Sequence, residues 1–357
     1  MAQSILESGF PESAGPAASR PRFCMVQIKK LVPETADAAS IVLEPAEQDR
    51  ERFAYRPGQY VTLRAVIDGV AHLRSYSMSS APVIDRDLKV TVKRVPDGLV
   101  SNWILDRLQP GDRIEVMPPI GTFTADETDR PLVAFAGGSG ITPIFSILKD
   151  VLFRSARTVR LLFANHDRAS AIFGSDLDGL AVRHLERLFL QHHSDVDSGF
   201  LAPDEIVGFV DEHRDATFYI CGPSGFMETV ESVLGELGID ESRIRREVFT
   251  PSAPLASDDP PRQMDANAVE VTIFLGRDEA TVPHRPGSTI LQTARFAGLK
   301  APSSCESGTC ATCMARVTEG CVTMRNNEAL TPEEVADGWV LTCQAEPASP
   351  TVRVVYE

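Results

Sequence analysis

The stretch PLVAFAGGSGITPIFSIL, residues 131–148, decides how the middle of the chain is built. It carries no charge and approaches the roughly 20 residues a membrane helix needs, but three glycines and an internal proline interrupt it. It reads instead as a strand, LVAFA, a turn of small residues, and a helix, ITPIFSILKDVL. Downstream, the apolar runs VRLLFAN and TFYICG alternate with a second helical stretch, GFMETVESVLGEL. That alternation predicts a parallel sheet with crossover helices, a fold that takes its ligands at the carboxyl ends of the strands.

Working outward, the 357 residues are too many for one core at about 150 residues per domain. Upstream, CMVQIKKLV, QYVTLRAV and LKVTVKRV are short β-rich runs broken by PG, DG and PGD turns, which predicts a small antiparallel β-barrel over 22–126. Its one good helix is LVSNWILDRL, with Val100, Trp103, Ile104 and Leu108 on one face. The α/β unit occupies 127–250. PSAPLASDDPPRQMDAN, residues 251–267, holds four prolines and four charged side chains and reads as a linker. Beyond it, 268–357 has strand signals at VEVTIFLG, VLTCQ and VRVVY and a helix at TILQTARFAG, an α+β unit of β-grasp type. Residues 1–21 contain one basic residue, Arg20, and no apolar run, so they read as a disordered tail without a targeting signal, in a cytoplasmic protein. A net charge of -15 opposes binding to nucleic acid or to anionic membrane.

Five of the seven cysteines fall in the last 53 residues. Cys305, Cys310 and Cys313, then Cys343, give C-x4-C-x2-C and a distant fourth cysteine, the spacing of plant-type [2Fe-2S] ligands. Zinc sites more often pair two short-spaced duplets. Cys321 and Cys24 read as small apolar fillers.

Two strings in the barrel unit, RSYSMSS at 74–80 and GLVSNW at 98–103, could each be an ordinary strand end or helix cap, with Ser101 as the capping residue. Together, ahead of an α/β unit, they resemble the flavin-binding barrel of the ferredoxin-NADP reductase family, whose R-x-Y-S signature is matched by Arg74, Tyr76 and Ser77. The resemblance implies bound FAD, with Arg74 on the pyrophosphate, Tyr76 beside the isoalloxazine and Ser77 near flavin N5. Gly98, Leu99, Val100 and Ser101 would offer helix N-terminal amides to the diphosphate.

AGGSGITP, residues 136–143, is not a G-x-G-x-x-G fingerprint, but its glycines allow close approach to a phosphate. Gly137, Gly138, Gly140 and Thr142 are the candidates there. CGP at 221–223 and REVF at 246–249 strengthen the family resemblance. By it, Cys221 and Gly222 lie near the nicotinamide, Glu247 supports the flavin–nicotinamide contact, and Phe249 covers the flavin face; buried structural Cys and Phe would look the same. In NHDRASAIF, Arg168 and Ser170 could grip a 2′-phosphate, whereas Asp167 would repel one. The balance favours NADH, with NADPH as the alternative.

A nicotinamide coenzyme gives up two electrons together and a [2Fe-2S] cluster accepts one, so a flavin must hold the second. The order flavin, nicotinamide, ferredoxin resembles the reductase components of multicomponent oxygenases. ANHDRASAIFGSDL and the last stretch from Cys305 are most similar to reductases of 3-ketosteroid 9-alpha-hydroxylase systems, then to those of phenylacetyl-CoA epoxidases. The implied partner is an oxygenase of the Rieske hydroxylase class, served by a chain that is a monomer when free. A diiron epoxidase or a desaturase would be reduced by the same motifs, and a redox-sensing adaptor would share them but turn over slowly. From 265 to 357 there are 12 acidic and 7 basic residues, an excess that suits a basic docking surface as well as a solvated face.

Overall fold

The computed structural model describes residues 23–249, 269–299, 301–303, 306, 308, 311–327 and 329–356. The expected tail and linker, Cys305 and Cys310 lie outside the described residues. Residues 23–249 form one compact unit and the described residues from 269 onward belong to another.

In the first unit, β1 (Cys24–Thr35), β2 (Ala38–Glu44), β3 (Tyr60–Ile67), β4 (Val70–Ser77), β5 (Leu88–Lys93) and β6 (Arg113–Ile120) form an antiparallel sheet in the order β4-β3-β6-β1-β2-β5. A bridge between Met78 and Val90 joins its two edges and closes the barrel. The period-two pattern of a half-buried strand shows in β1, where Cys24, Val26 and Ile28 face the core while Met25, Gln27 and Lys29 face outward. Helix α1 (Leu99–Arg107) packs Val100 and Ile104 into that core, as its spacing predicts.

The parallel sheet contains β7 (Leu132–Gly137), β8 (Val159–Asn165), β9 (Leu188–Ser194), β10 (Thr217–Gly222) and β11 (Ile244–Val248), in the order β11-β10-β7-β8-β9. β7 and β10 are buried throughout because helices cover both faces, which is why they read as unbroken apolar runs. On one face, α2 (Ile141–Arg154) and α3 (Gly174–Arg183) pack over Leu161 and Phe163. After the single turn α4 (Asp195–Ser198), α5 (Pro203–Val210) and α6 (Ser224–Glu236) cover Leu162 and Phe218 on the other. The chain runs outward from β7 to β9 and then returns to place β10 on the other side of β7. The crevice at the carboxyl ends of β7 and β10 is therefore a topological switch point, the expected ligand position in such a sheet. Between barrel and sheet, Asp126 pins the crossing segment: its carboxylate accepts from Arg157 Nη1 at 2.7 Å and from Thr217 Oγ1 at 2.6 Å.

The second unit contains β12 (Glu270–Leu275), β13 (Asp278–Pro283), α7 (Ile290–Phe296), β14 (Met314–Glu319), β15 (Val322–Met324), α8 (Pro332–Ala336), β16 (Trp339–Leu341), β17 (Ala345–Pro347) and β18 (Thr351–Tyr356). Its main sheet, β13-β12-β18-β14-β16, is mixed, with β12 parallel to β18, and α7 adds its buried Ile290, Leu291 and Ala294, giving the α+β unit expected. One reading shifts. VLTCQ is strand only as far as Leu341, because the Thr342 amide and hydroxyl both turn to the Cys313 carbonyl, at 3.2 and 2.7 Å, leaving Cys343 in a turn.

Candidate functional site

β4 ends at Ser77 and β11 carries Glu247, and the fold brings the two together across 170 residues of sequence. The buried Ser77 hydroxyl donates to Glu247 Oε2 at 2.8 Å. Cys221, on β10, is paired in register with Glu247 on one side and Ala136 on the other. Burial, and after it the Glu247 charge, pushes the Cys221 thiol well above the ordinary thiol range, so it is a neutral group at neutral pH. Phe249 lies just past the end of β11, two residues after Glu247, and is exposed. Four residues expected to act together are thus strand-end neighbours where barrel and parallel sheet meet.

A flavin fits the barrel side of this junction. Helix α1 begins at Gly98 with no side chain capping it, so its first amides are open to a ligand, and a Cβ on Gly98 would lie 2.7 Å from Ser101 Oγ and 2.8 Å from Val95 Cβ. Ser101 is not the cap: its hydroxyl accepts from the Val95 amide at 3.2 Å and fixes the turn before the helix. Leu99 is exposed and Val100 is buried. Arg74 is exposed, and its guanidinium donates to the Leu73 carbonyl at 2.7 Å, a contact that leaves the cation uncompensated by any carboxylate among the described residues. Burial raises the pKa of the Tyr76 phenol, with the Arg74 charge acting against it, so Tyr76 is a neutral aromatic surface packed on the barrel core.

On the sheet side, a dinucleotide fits the switch-point crevice. Gly137 and Gly138 lead into a single 3-10 turn that ends at Gly140, and a Cβ on Gly140 would sit 2.1 Å from the Cys221 carbonyl oxygen. The turn after β7 approaches the end of β10 so closely that only glycine fits; Gly222 is held in the same way against Phe226 and Gly137. Thr142 is buried and donates to the Ser139 carbonyl at 3.0 Å, which tightens the turn.

The two candidates for a 2′-phosphate are already engaged. Arg168 is ion-paired with Asp178, whose other oxygen is 3.1 Å from His192 Nε2. Ser170 closes a capping box with Asp167: the Ser170 amide donates to Asp167 Oδ1 at 2.8 Å and the Asp167 amide donates to Ser170 Oγ at 3.1 Å. The Ser170 amide and hydroxyl, and then His166, hold the Asp167 carboxyl below its usual range.

In the second unit Cys313 and Cys343 are both buried, and Thr342, next to Cys343, donates its hydroxyl to the Cys313 carbonyl at 2.7 Å. A cluster fits there. The buried Thr312 hydroxyl has no hydrogen-bond partner among the described residues, and Gly308, at φ +85°, approaches the Asn326 carbonyl so closely that a Cβ would lie 2.8 Å from it. Gln344 Nε2 donates to the Glu306 carbonyl at 2.6 Å and lies 3.8 Å from Cys343 Sγ. Such N–H donors set the potential of a bound cluster. Arg295 pins the same loop through Glu306 and through Ser303 Oγ at 2.8 Å.

Sequence reasoning passed over Lys149, which is 5% exposed and contacts the residues just beyond Ser77. Its signal was visible: a lysine four residues after Phe145 and three before Leu152, on the apolar face of ITPIFSILKDVL.

Three domain families match the chain in order: an oxidoreductase FAD-binding domain over residues 26–125, an oxidoreductase NAD-binding domain over 135–232 and a 2Fe-2S iron-sulfur cluster binding domain over 273–348. The ferredoxin reductase component of the 3-ketosteroid-9-alpha-monooxygenase of Rhodococcus rhodochrous is 35% identical, over 94% of this chain and 97% of its own length. One subunit of the 1,2-phenylacetyl-CoA epoxidase of Escherichia coli is 30% identical, over 94% and 98%. Among solved structures, phthalate dioxygenase reductase, described as a modular structure for electron transfer from pyridine nucleotides to [2Fe-2S], superposes with a TM-score of 0.60 at 24% identity, covering 94% of this chain and 98% of that one.

Proposed function

Since this chain belongs to the family of oxygenase reductase components that join FAD-, NAD- and [2Fe-2S]-binding domains, we propose that it passes electrons from NADH, one at a time, to a Rieske-type oxygenase component. When bound, FAD accepts the two electrons of a hydride and the [2Fe-2S] cluster carries them onward singly. The residues do the placing. Arg74 and the open amides of α1, from Leu99 to Ser101, hold the flavin diphosphate, and Tyr76 lines the ring. The loop at Gly137, Gly138, Gly140 and Thr142 admits the coenzyme phosphates, and Gly222 leaves room beside them. Glu247 orients the Ser77 hydroxyl at the flavin edge; Cys221, an uncharged thiol, lines the nicotinamide position, and Phe249 shields the ring face. Cys305, Cys310, Cys313 and Cys343 hold the iron.

The observation that carries this reading is the Ser77–Glu247 hydrogen bond with buried Cys221 in register beside it, a polar constellation at the junction of a flavin-type barrel and a dinucleotide-type sheet. NADH is favoured over NADPH because the Asp167 carboxylate stands at the end of β8 while Arg168 is committed to Asp178. The similarity to a phenylacetyl-CoA epoxidase component favours a second acceptor, a diiron epoxidase, reached by the same internal path. No helix among the described residues is long and apolar enough to cross a membrane.

The test is anaerobic reduction of the purified protein by NADH and by NADPH, followed by cytochrome c and ferricyanide assays of the parent and of Cys310→Ser. Expected are a preference for NADH of about tenfold or more in kcat/KM and loss of cytochrome c reduction, with ferricyanide reduction intact, in the variant. Protein that lacks iron and flavin after reconstitution, or that turns over too slowly to supply an oxygenase, would refute the proposal.

A further inference from the structure

Helix α2 begins at the glycine turn facing the switch-point crevice. Eight residues after its first residue, Ile141, about 12 Å along the axis at 1.5 Å per residue, it carries Lys149. Lys149 Nζ donates to the Ser79 carbonyl at 2.8 Å and to Asp85 Oδ2 at 2.5 Å, both in the barrel, and lies 4.3 Å from the centre of the Phe145 ring. One turn earlier, Ser146 Oγ donates to the Ser80 carbonyl at 2.6 Å. Asp85 Oδ2 also accepts the Ala81 amide, at 2.7 Å. Two consecutive residues, Ser79 and Ser80, are thus gripped directly from the helix, with Ala81 held through Asp85, and the first of them is two positions beyond Ser77.

The barrel grips the same residues from its own side. Ser79 Oγ is 2.8 Å from Thr91 Oγ1, which is 2.7 Å from Ser40 Oγ, and Ser40 Oγ donates to Glu34 at 2.6 Å. The Ser80 hydroxyl is 2.6 Å from Tyr55 OH and accepts the Lys89 amide at 2.8 Å. Lys149, Ser146, Ser79 and Ser80 are all buried. Taking an ammonium out of water is expensive, and a leucine would continue the apolar face of α2 without that cost. A lysine here is explained by what it joins, not by packing.

We propose that Lys149 is a positioning residue for hydride transfer: it ties the helix whose amino end receives the coenzyme to the strand end that carries Ser77, and so fixes the separation of the two reacting rings. The inference rests on the assignment of the crevice to the coenzyme and of Ser77 to the flavin edge. Reactions between two held partners are steep in distance, so a small slackening at this tie is felt in the rate.

The experiment uses the full, FAD-loaded chain and the variants Lys149→Met, Asp85→Asn and Ser146→Ala. Each is mixed anaerobically with NADH, or with NADH deuterated at the transferred position, while flavin absorbance is followed, and rates are expressed per bound FAD. For Lys149→Met, flavin reduction at saturating NADH should be slower by about tenfold or more, with little change in the NADH concentration at half-maximal rate. The long-wavelength charge-transfer absorbance between nicotinamide and flavin should weaken, and the deuterium isotope effect should grow as chemistry becomes more fully rate-limiting. Asp85→Asn should show part of the same loss, and should add little to it when combined with Lys149→Met. A tie that only stabilises the fold would lower the melting temperature and the FAD content but leave the per-flavin rate and the charge-transfer band unchanged; that result overturns the inference. Should Lys149→Met not fold, unchanged rates in both Asp85→Asn and Ser146→Ala overturn it equally. Absence of flavin reduction in the parent chain would instead overturn the site assignment, and the inference with it.

Discussion

Around Ser77 and Glu247 the partners stand on strand ends and on one long helix, whereas around Cys313 and Cys343 the backbone winds through a loop in which Glu306, Gly308 and Ala311 all have positive φ. The first region is braced from two sides by buried hydrogen bonds; at the described residues of the second, the side chains of Arg295, Gln344 and Thr342 reach across to the loop. On the proposed assignment of the two sites, the difference follows from what each would place. Iron and sulfide bring their own bond lengths and angles, so four thiolates need only be presented. Two organic rings exchanging a hydride have no such template, and the scaffold must supply the geometry itself.

The sharpest way to break the comparison is to remove a proposed iron ligand. Cys343→Ser should lower cytochrome c reduction by about a hundredfold or more, while FAD content and ferricyanide reduction stay near the parent values; iron analysis and the two assays check it. Loss of flavin in that variant would mean the two regions are not independent.

Next is Gly140→Ala, whose new methyl would meet the Cys221 carbonyl oxygen at 2.1 Å. The atoms it meets are backbone and not the end of a flexible side chain, so a loss of about 4 kcal/mol in stability and of NADH binding is expected, read by thermal unfolding and by titration. The same substitution at Gly308, where the nearest atom is 2.8 Å away, should cost about 2 kcal/mol and show mainly as lower iron retention.

Asp126→Asn breaks the pair with Arg157 and should cost about 3 kcal/mol. Burial alone would raise the Asp126 carboxyl, but the Thr217 hydrogen bond and the Arg157 charge prevail and hold it below its usual 3.8. A carboxyl lowered in the folded state contributes stability that is complete above 3.8 and is lost as pH falls through the folded value. The parent should therefore lose stability more steeply than the variant below pH 3.8, as acid titration followed by circular dichroism would show. Arg295→Ala should have the smallest effect, about 1 kcal/mol, confined to the cluster unit and visible as faster iron release to a chelator.

The regions also differ in how far they could be read in advance. Four cysteines at fixed spacing declare a cluster without any fold, and LVAFA followed by a glycine turn declares a strand end open to phosphate. R-x-Y-S and REVF pointed to Ser77 and Glu247, but their hydrogen bond depends on tertiary packing that no local pattern encodes. β9, LFLQHHS, and β14, MARVTE, escaped because one carries two histidines in tandem and the other has only two buried residues, Met314 and Ala315. Arg168 and Ser170 looked available for a phosphate because the Asp167 capping box and the Asp178 ion pair join residues whose facing is set by a single 3-10 turn. Lys149 was legible only as an anomaly, a charge on an apolar helix face, whose acceptors lie 64 and 70 residues earlier.

The strand bearing Glu247 is the last element of its unit, added at the sheet edge beside β10. On the ribosome, the barrel and four of the five parallel strands can assemble while Ser77 still lacks its acceptor. The Ser77–Glu247 pair, which spans 170 residues, is therefore among the last contacts of the unit that synthesis makes possible.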